Sequence, residues 1–251
     1  MTREQGALSV SFDVVFAEPD RSSISRMVRD LVAYTDPETV QKLAAAIQDN
    51  DQVLADAMAQ TRVVLGFGFD LKGGSSPPKQ MHGTAFAVHE APVDGWVRIE
   101  GVDAHLVPKA RVAAAVTIAD CVPAFIAHPS GGGAIVHAGW RGTAARVLPR
   151  VITALGERGL TAADLRVHLG PAVCGRCYEV GPDVYEQLTG WQTIRHRHVD
   201  LRALLWEQAR DAGVRMISGS ACCTRCDVDR FFSHRAGDAG RQIAVLQARG
   251  E

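Results

Sequence analysis

The sequence has no surplus of either charge, because its 27 Lys and Arg residues nearly balance its 28 Asp and Glu residues and leave a net charge of −1. It therefore lacks the general basic field that attracts nucleic acid or an anionic membrane. No apolar run approaches the roughly 20 residues that cross a bilayer, and the first ten residues lack the basic-then-apolar pattern of a signal peptide. These absences predict a cytoplasmic protein that has neither nucleic acid nor a membrane as its partner.

Cysteine is also scarce, with six residues in a chain of 251. That number is too small for a disulfide scaffold, so we expect the cysteines to be reduced or bound to metal. The remaining composition, 47% hydrophobic and 22% charged, is typical of an ordinary globular protein with a sizeable core.

Short strands and helices alternate along the chain without a strict βαβ rhythm, which favours an α+β fold with mixed sheets over a doubly wound parallel sheet. The apolar patterns predict strands over 8–16, 61–70, 85–89, 95–99, 112–118, 122–127, 133–137, 165–169, 216–220 and 242–248. Helical spacing and capping residues predict helices within 23–60 and over 144–158, 183–190 and 201–213. The segment 71–79, LKGGSSPPK, is the strongest break in these patterns, and we interpret it as a loop within one domain.

Three segments concentrate the side chains that metals prefer. They are QMHG at 80–83, ADC at 119–121 and HAGWRG at 137–142. Each lies at a predicted strand end or loop, where side chains from separate segments can converge on one pocket. His82, Cys121 and His137 together make a three-ligand set suited to zinc, with the fourth position open to water. The alternative is that each residue packs as an ordinary structural side chain.

The third of these segments also carries candidate substrate-binding groups. Gly139 and Gly142 permit the backbone to approach a ligand closely. Trp140 offers a stacking surface, and Arg141 offers recognition of an anion beside the predicted metal ligand. The alternative for Arg141 is a solvated side chain on a tight strand-to-helix turn.

Two aspartates near the predicted ligands are further candidates. Asp120 immediately precedes Cys121 and is a candidate to hold a ligand or a substrate group. Asp103, in GVDAHLV, is a candidate to orient a metal ligand through a hydrogen bond. The alternative for both is a turn or capping role.

A second cysteine pattern stands apart from these segments. Cys174-Gly-Arg-Cys177 is followed by Cys223-Thr-Arg-Cys226, and paired CxxC motifs of this kind often hold a structural zinc through four thiolates. The 45 intervening residues exceed a compact zinc ribbon, and Cys222 beside Cys223 complicates the assignment. The alternative is two turn-rich corners with packed, reduced cysteines. A redox role is disfavoured because neither pair opens a helix after a strand.

Five segments between residues 80 and 246 resemble, in the same order, the motifs of the laccase-domain family, also called YfiH-like or polyphenol oxidase-like proteins. The segments are QMHG, GVDAHLV, IADCVPAFIAHPSGGGAIVHAGWRG, LGPAVCGRCYEVGPDV and CTRCDVDRFFSHRAGDAGRQIAVL. The N-terminal part, residues 1–78, diverges from the family's motifs. Cys174 also stands where the family has a small residue, which speaks against the four-thiolate zinc.

The resemblance implies a monomeric α+β fold, in which residues 1–251 form a single domain with four layers, α/β/β/α, and mixed β-sheets. It also implies a metal site of His82, Cys121 and His137, with zinc as the usual ion and copper as the ion of the oxidase interpretation. The implied activity is phosphorolysis of adenosine, inosine, guanosine or methylthioadenosine, or deamination of adenosine, with a nucleoside and phosphate as small-molecule partners.

Within that activity, the resemblance and the residues together suggest roles for the remaining candidates. Arg141 and Gln80 are candidates to hold phosphate and ribose, and Trp140 is a candidate to contact the substrate. Cys121, Arg141 and Asp120 are the candidate catalytic residues.

Three other functions compete with the nucleoside enzyme. A copper oxidase needs many histidines in His-x-His pairs, and the sequence offers one pair, His196 and His198, outside the motifs. A hydrolase would use Cys121 as a thiolate nucleophile and His137 as its base, and metal content would discriminate it. A non-catalytic metal-binding protein would hold its zinc with four protein ligands rather than three.

Overall fold

The computed structural model describes residues 15–17, 63–66, 82–91, 97–99, 101–109, 112–238 and 240–247. The strands in these ranges are β1 (Val15–Ala17), β2 (Val63–Gly66), β3 (Phe86–Val88), β4 (Val97–Ile99), β5 (Ala104–Val107), β6 (Ala113–Ile118), β7 (Val122–Ala127), β8 (Gly133–Ala138), β9 (Arg166–Leu169), β10 (Glu179–Val180), β11 (Arg197–His198), β12 (Met216–Gly219) and β13 (Arg241–Gln247). The α-helices are α1 (Trp140–Ala144), α2 (Val147–Gly156), α3 (Pro182–Thr189) and α4 (Leu201–Asp211).

Most of these strands belong to two large sheets, and both sheets are mixed. The five-stranded sheet has the order β1-β13-β6-β2-β4, with β2 parallel to β4 and β6 and with antiparallel pairs elsewhere. The six-stranded sheet has the order β12-β9-β7-β8-β5-β3, with parallel pairs at both edges and antiparallel pairs in its centre. Strands β10 and β11 form a separate antiparallel ribbon. The mixed sheets confirm the predicted α+β class.

Two apolar layers join these elements. The layer between the two sheets contains Val116, Ile118, Phe125, Ile135 and Ala244. The layer between the six-stranded sheet and the helices contains Leu148, Val151, Leu155, Leu201 and Leu205. Each fully buried Leu or Ile contributes about 1.5–3 kcal/mol to folding. The described residues thus form three layers, helix, sheet and sheet, and the helices predicted within 23–60 lie outside the described ranges.

The predicted helix over 144–158 is wrong at its start. Arg146 adopts a left-handed conformation, with φ 61° and ψ 45°, and this residue separates α1 from α2. A left-handed residue breaks the run of helical hydrogen bonds, and here it is an arginine rather than the glycine that usually signals such a turn. The first helix, α1, begins at Trp140, one residue after β8, and the prediction missed it.

Several other helix boundaries lie where the sequence predicts them. The predicted helix over 183–190 ends as α3 at Gly190, which adopts the left-handed conformation with φ 76°. Asp200 caps α4, because its carboxylate accepts hydrogen bonds from the backbone N–H groups of Arg202 and Ala203. Strand β5 and the β10–β11 ribbon are additions that the sequence analysis did not predict. No helix in the described ranges combines the length and the apolar character needed to cross a bilayer.

Candidate metal centre and active site

The three predicted metal ligands come together from three separate segments. His82 lies before β3, Cys121 lies in the turn between β6 and β7, and His137 lies on β8. Strands β7 and β8 are antiparallel with Pro123 opposite His137, so Cys121 at the entrance to β7 lies beside the exit of β8. The potential ligand atoms of the three residues all lie within 4.8 Å of one another. The rings of His82 and His137 meet edge to face, with their centroids 5.2 Å apart.

Backbone strain is concentrated at this cluster. Among the described residues, the non-glycine residues with positive φ are His82 at 50°, Asp120 at 78° and Arg146 at 61°. Two of these three belong to the cluster or precede one of its members. Such conformations cost about 1–3 kcal/mol each and occur preferentially at functional sites, where the surrounding structure enforces them.

Gly139 leaves the space that the three side chains occupy. A Cβ atom at this position would lie 3.0 Å from Cys121 Sγ and 3.1 Å from His82 Cδ2, which is too close for either to stay in place. The same atom would lie 3.8 Å from His137 Cε1. Two imidazoles and one thiolate are donors that zinc prefers, and three protein ligands are typical of catalytic zinc sites. The residues present therefore fit a three-ligand metal site.

Asp103 holds two members of the cluster in position. Its side chain is buried, and one carboxylate oxygen accepts from the backbone N–H of Gly83, next to His82, at 2.5 Å. The other oxygen lies 3.0 Å from His137 Nδ1. A proton on Nδ1 satisfies this hydrogen bond and leaves Nε2 as the nitrogen that can bind an ion. The role predicted for Asp103 from the sequence agrees with this geometry.

The cluster also stabilises a thiolate. Burial disfavours charge on Cys121, but the charge of His137 and hydrogen bonds from His137 and His82 outweigh burial and lower the pKa of the Cys121 thiol to about 6. Burial likewise opposes charge on His137, but the Cys121 thiolate and the hydrogen bond to Asp103 raise the pKa of His137 to about 9. Cys121 is therefore ionised at neutral pH, and the thiolate is the form that binds metal or acts as a nucleophile.

Asp120, predicted to be catalytic, connects the Cys121 turn to the C-terminal part of the chain. Its buried carboxylate accepts from Thr224 Oγ1 at 2.6 Å and from the backbone N–H of Arg235 at 2.7 Å. Its backbone carbonyl accepts from the N–H of Val173 at 3.1 Å. Both carboxylate oxygens thus have protein donors, and the contacts hold the Cys121 turn in place.

Two of the three predicted substrate-binding residues, Trp140 and Arg141, lie at the start of α1. The Arg141 side chain is exposed, and its guanidinium carbon lies 4.3 Å from the centre of the Trp140 ring. A Cβ atom at Gly142 would lie 3.1 Å from the carbonyl oxygen of Gly83, so α1 packs closely on the segment that carries His82. Gln80, the other candidate for binding substrate, lies outside the described residues, and the substrate contacts of all three candidates stay predictions.

Two residues near Cys121 received no role in the sequence analysis. The Arg235 guanidinium carbon lies 4.7 Å from the centre of the Tyr178 ring. Burial and the charge of the nearby Cys121 thiolate raise the pKa of the Tyr178 hydroxyl to about 12, although the Arg235 charge opposes them. Both residues lie inside segments that resemble family motifs, and this position is the sequence feature that could have drawn attention to them.

Comparison with known proteins places the chain in a family. The model of the family described as multi-copper polyphenol oxidoreductase laccase matches residues 35–249. The chain belongs to this family. A relative from Streptomyces coelicolor named purine nucleoside phosphorylase is 37% identical over 173 residues, which cover 64% of this chain and 70% of that protein. A relative from an unknown prokaryotic organism, named adenosine deaminase RL5, is 34% identical over 151 residues, covering 55% and 58% of the two chains.

The fold of this family member also matches a solved structure. The crystal structure of YlmD from Geobacillus stearothermophilus superposes with a TM-score of 0.65 at 24% sequence identity, covering 95% of this chain and 88% of that one. At that identity the likeness is evidence of the fold alone. The family that five motifs predicted is confirmed, and the order of those motifs along the chain was the decisive signal.

Proposed function

We propose that this protein is a zinc-dependent enzyme that acts on purine nucleosides, with phosphorolysis as its reaction. The observation that carries the proposal is the convergence of His82, Cys121 and His137 on the space left by Gly139. The name of the Streptomyces coelicolor relative, purine nucleoside phosphorylase, supplies the substrate class.

The chain's own residues divide the work of such a reaction. Phosphorolysis replaces the bond between ribose C1′ and the purine with a bond from C1′ to a phosphate oxygen. His82, Cys121 and His137 would hold a zinc ion, which would supply a Lewis acid for this chemistry. The exposed Arg141 guanidinium, stacked on Trp140, presents a fork of donors that suits phosphate oxygens. Arginine keeps its proton near neutral pH, so its role is to hold the anion rather than to transfer a proton.

Asp103 and Asp120 position these groups. Asp103 fixes the ring of His137 and the segment beside His82, and Asp120 fixes the turn that carries Cys121. Neither aspartate needs to touch substrate for these tasks. We therefore assign Asp120 a positioning role within the proposed enzyme.

Deamination of adenosine is the second candidate reaction, and the name of the relative adenosine deaminase RL5 favours it. In this reaction water replaces the amino group at C6 of the purine, and phosphate takes no part. Dependence on phosphate therefore separates the two reactions.

The potential metal-binding side chains that lie close together do not favour a multicopper oxidase. Within the described ranges, the groups of three or more potential ligands are the His82 set and a four-cysteine set, which together contain two histidines. His196 and His198 are exposed and belong to neither set. A Cys-His hydrolase would use the same Cys121 and His137, and zinc in the purified protein would count against it.

The test is a turnover assay with adenosine, inosine, guanosine and methylthioadenosine, each with and without phosphate, on protein whose metal content is measured. We expect release of the free base and ribose 1-phosphate, or methylthioribose 1-phosphate, only when phosphate is present. Formation of inosine from adenosine without phosphate would instead establish the deaminase. No turnover of any purine nucleoside by zinc-loaded protein would contradict both.

A further inference from the structure

Four cysteines form a second cluster, separate from the His82, Cys121 and His137 site. The Sγ atoms of Cys174, Cys177, Cys223 and Cys226 all lie within 4.8 Å of one another. A parallel β-bridge between Ala172 and Cys223 brings the two CxxC segments side by side. The N–H of Thr224 also donates to the carbonyl of Ala172 at 3.2 Å. The 45 residues between the motifs thus do not prevent their meeting.

We propose that these four cysteines bind a structural zinc ion through four thiolates, as a second metal site in this protein. This site goes beyond the proposed nucleoside chemistry and does not depend on it.

The distances suit a metal ion rather than a disulfide. Cys177 Sγ and Cys226 Sγ lie 3.4 Å apart, well beyond the roughly 2.05 Å of a disulfide bond. In a tetrahedral site with zinc–sulfur bonds of about 2.3 Å, the sulfur atoms are about 3.8 Å apart. The observed cluster needs only small adjustments to reach that arrangement.

The two turns share the same backbone pattern. The N–H of Tyr178 donates to the carbonyl of Cys174 at 3.0 Å, and the N–H of Asp227 donates to the carbonyl of Cys223 at the same distance. The Cys223 sulfur accepts from the N–H groups of Cys174 at 3.2 Å and Cys226 at 3.4 Å. These hydrogen bonds fix the Cys223 sulfur between the two cysteine turns.

Ordinary packing does not account for the cluster. Reduced cysteines that serve as small apolar groups are among the most buried residues in proteins. Here Cys226 is exposed, Cys174 and Cys177 are half-buried, and only Cys223 is buried. Four thiols that converge at a partly exposed corner supply the four sulfur ligands of a structural zinc. Their partial exposure means that hydrophobic burial contributes little to bringing them together.

The site has a structural consequence for the proposed active site. Val173, beside Cys174, and Thr224, beside Cys223, both hydrogen-bond to Asp120. A zinc ion that locks the two cysteine turns together therefore also steadies the residue that precedes Cys121.

Metal analysis of protein purified under reducing conditions with zinc tests the proposal, and Cys222→Ser is the matched control because Cys222 lies outside the cluster. We expect two zinc ions per chain in the natural protein and in Cys222→Ser. We expect one in Cys121→Ser, one in Cys174→Ser and one in Cys226→Ser. A single zinc that is lost on Cys121 substitution would overturn the proposal, as would iron at the four cysteines or two zinc ions retained in Cys174→Ser.

Cobalt substitution keeps the test informative if a cysteine variant does not fold. Cobalt bound by four thiolates gives intense sulfur-to-metal charge-transfer absorption, and this absorption should persist in folded Cys121→Ser protein. Its absence there would overturn the proposal. Removal of a structural zinc should also lower the Tm of Cys174→Ser by roughly 10 °C, with Cys222→Ser changing little. Neither readout depends on nucleoside turnover. Failure of the proposed function can therefore be distinguished from failure of the four-cysteine zinc site.

Discussion

At the scale of single residues, Gly139 decides whether the three predicted ligands can approach one another. Substitution with alanine places a Cβ atom 3.0 Å from Cys121 Sγ and 3.1 Å from His82 Cδ2. We expect Gly139→Ala to weaken zinc binding by about 10- to 100-fold, as changes beside metal ligands typically do. Competition with a zinc chelator measures the affinity.

The control is Gly156→Ala, because a Cβ at Gly156 would meet nothing within 4 Å at the end of α2. That change should leave zinc affinity unaltered and raise stability slightly, by about 0.4–1 kcal/mol. Equal affinity in Gly139→Ala and the natural protein would show that the cluster does not hold the metal.

Arg141 separates substrate recognition from metal binding. We expect Arg141→Ala to keep its zinc and fold, because the side chain is exposed and its described contact is the Trp140 ring. The loss of a charge-assisted contact costs about 1.5–3 kcal/mol, or roughly 10- to 150-fold in kcat/KM. Steady-state kinetics with and without phosphate measures it.

Phosphorolysis should fall much more than deamination if Arg141 holds phosphate, because water is the nucleophile in deamination. Arg150→Ala, an exposed arginine on α2, is the control and should keep full activity. Turnover of Arg141→Ala at the natural rate would make this residue a solvated arginine on a turn.

At the scale of elements, β5 carries a buried histidine with an energetic consequence. His105 is fully buried, its Nδ1 lies 3.0 Å from His89 Nε2, and its own Nε2 has no hydrogen-bond partner among the described residues. Burial, aided by the charge of His89, lowers the pKa of His105 to about 3. An unfolded histidine binds its proton near pH 6.5. Unfolding therefore takes up a proton between these values, and stability falls as the pH drops from 6.5 towards 3.

We expect His105→Gln to reduce this dependence by up to about 1.4 kcal/mol per pH unit, the contribution of one proton. Denaturant unfolding at pH 5, 6, 7 and 8, in buffer with zinc, measures the slope. His198→Gln on β11 is the control, since His198 is exposed. Identical slopes in His105→Gln and the natural protein would contradict the assignment.

The elements also show where sequence patterns suffice and where they do not. Strands β6, β7 and β8 follow apolar runs, and the apolar face of α2 follows helical spacing, so local patterns predict them. Strand β5 was missed because His105 interrupts its short apolar pattern and Asp103 immediately precedes it, and His105 is buried in the pairing of β5 with β8 and β3. The break at Arg146 was missed because a left-handed arginine has no local signal.

The candidate site could be proposed from residue type and predicted strand ends, but not from spacing. His82, Cys121 and His137 are separated by 39 and 16 residues, which match no local zinc motif, and the family-like motifs then pointed to the same three residues. Tyr178 lies near Cys121, and Arg235 contacts Tyr178 and Asp120, through tertiary contacts, so neither periodicity nor spacing could assign them a role.

At the scale of the whole molecule, the site lies where the chain passes between its two sheets. The turn over 119–121 connects β6 of the five-stranded sheet to β7 of the six-stranded sheet, and it carries Asp120 and Cys121. The segment after β12 connects the six-stranded sheet back to β13 of the five-stranded sheet, and it carries Thr224 and Arg235. The two passages are joined through the Asp120 carboxylate, so this residue couples the packing of the sheets to the position of Cys121.

Asp120→Asn tests this coupling. The amide can keep both partners, because its oxygen accepts from the Arg235 N–H while its NH2 donates to the Thr224 hydroxyl oxygen, but the carboxylate charge that strengthens both hydrogen bonds is lost. Hydrogen bonds to a charged group contribute about 1.5–3 kcal/mol and neutral ones about 0.5–1.5 kcal/mol, so we expect the free energy of unfolding to fall by about 1–3 kcal/mol. Amide hydrogen exchange at Arg235 and its neighbours should accelerate by more than the loss of global stability accounts for. Exchange in α2 should change only by as much as that loss of global stability. Asp164→Asn, at an exposed position in a 3₁₀ turn, is the control and should change neither measurement. Unchanged exchange at Arg235 in Asp120→Asn would show that the two passages are held together by other contacts.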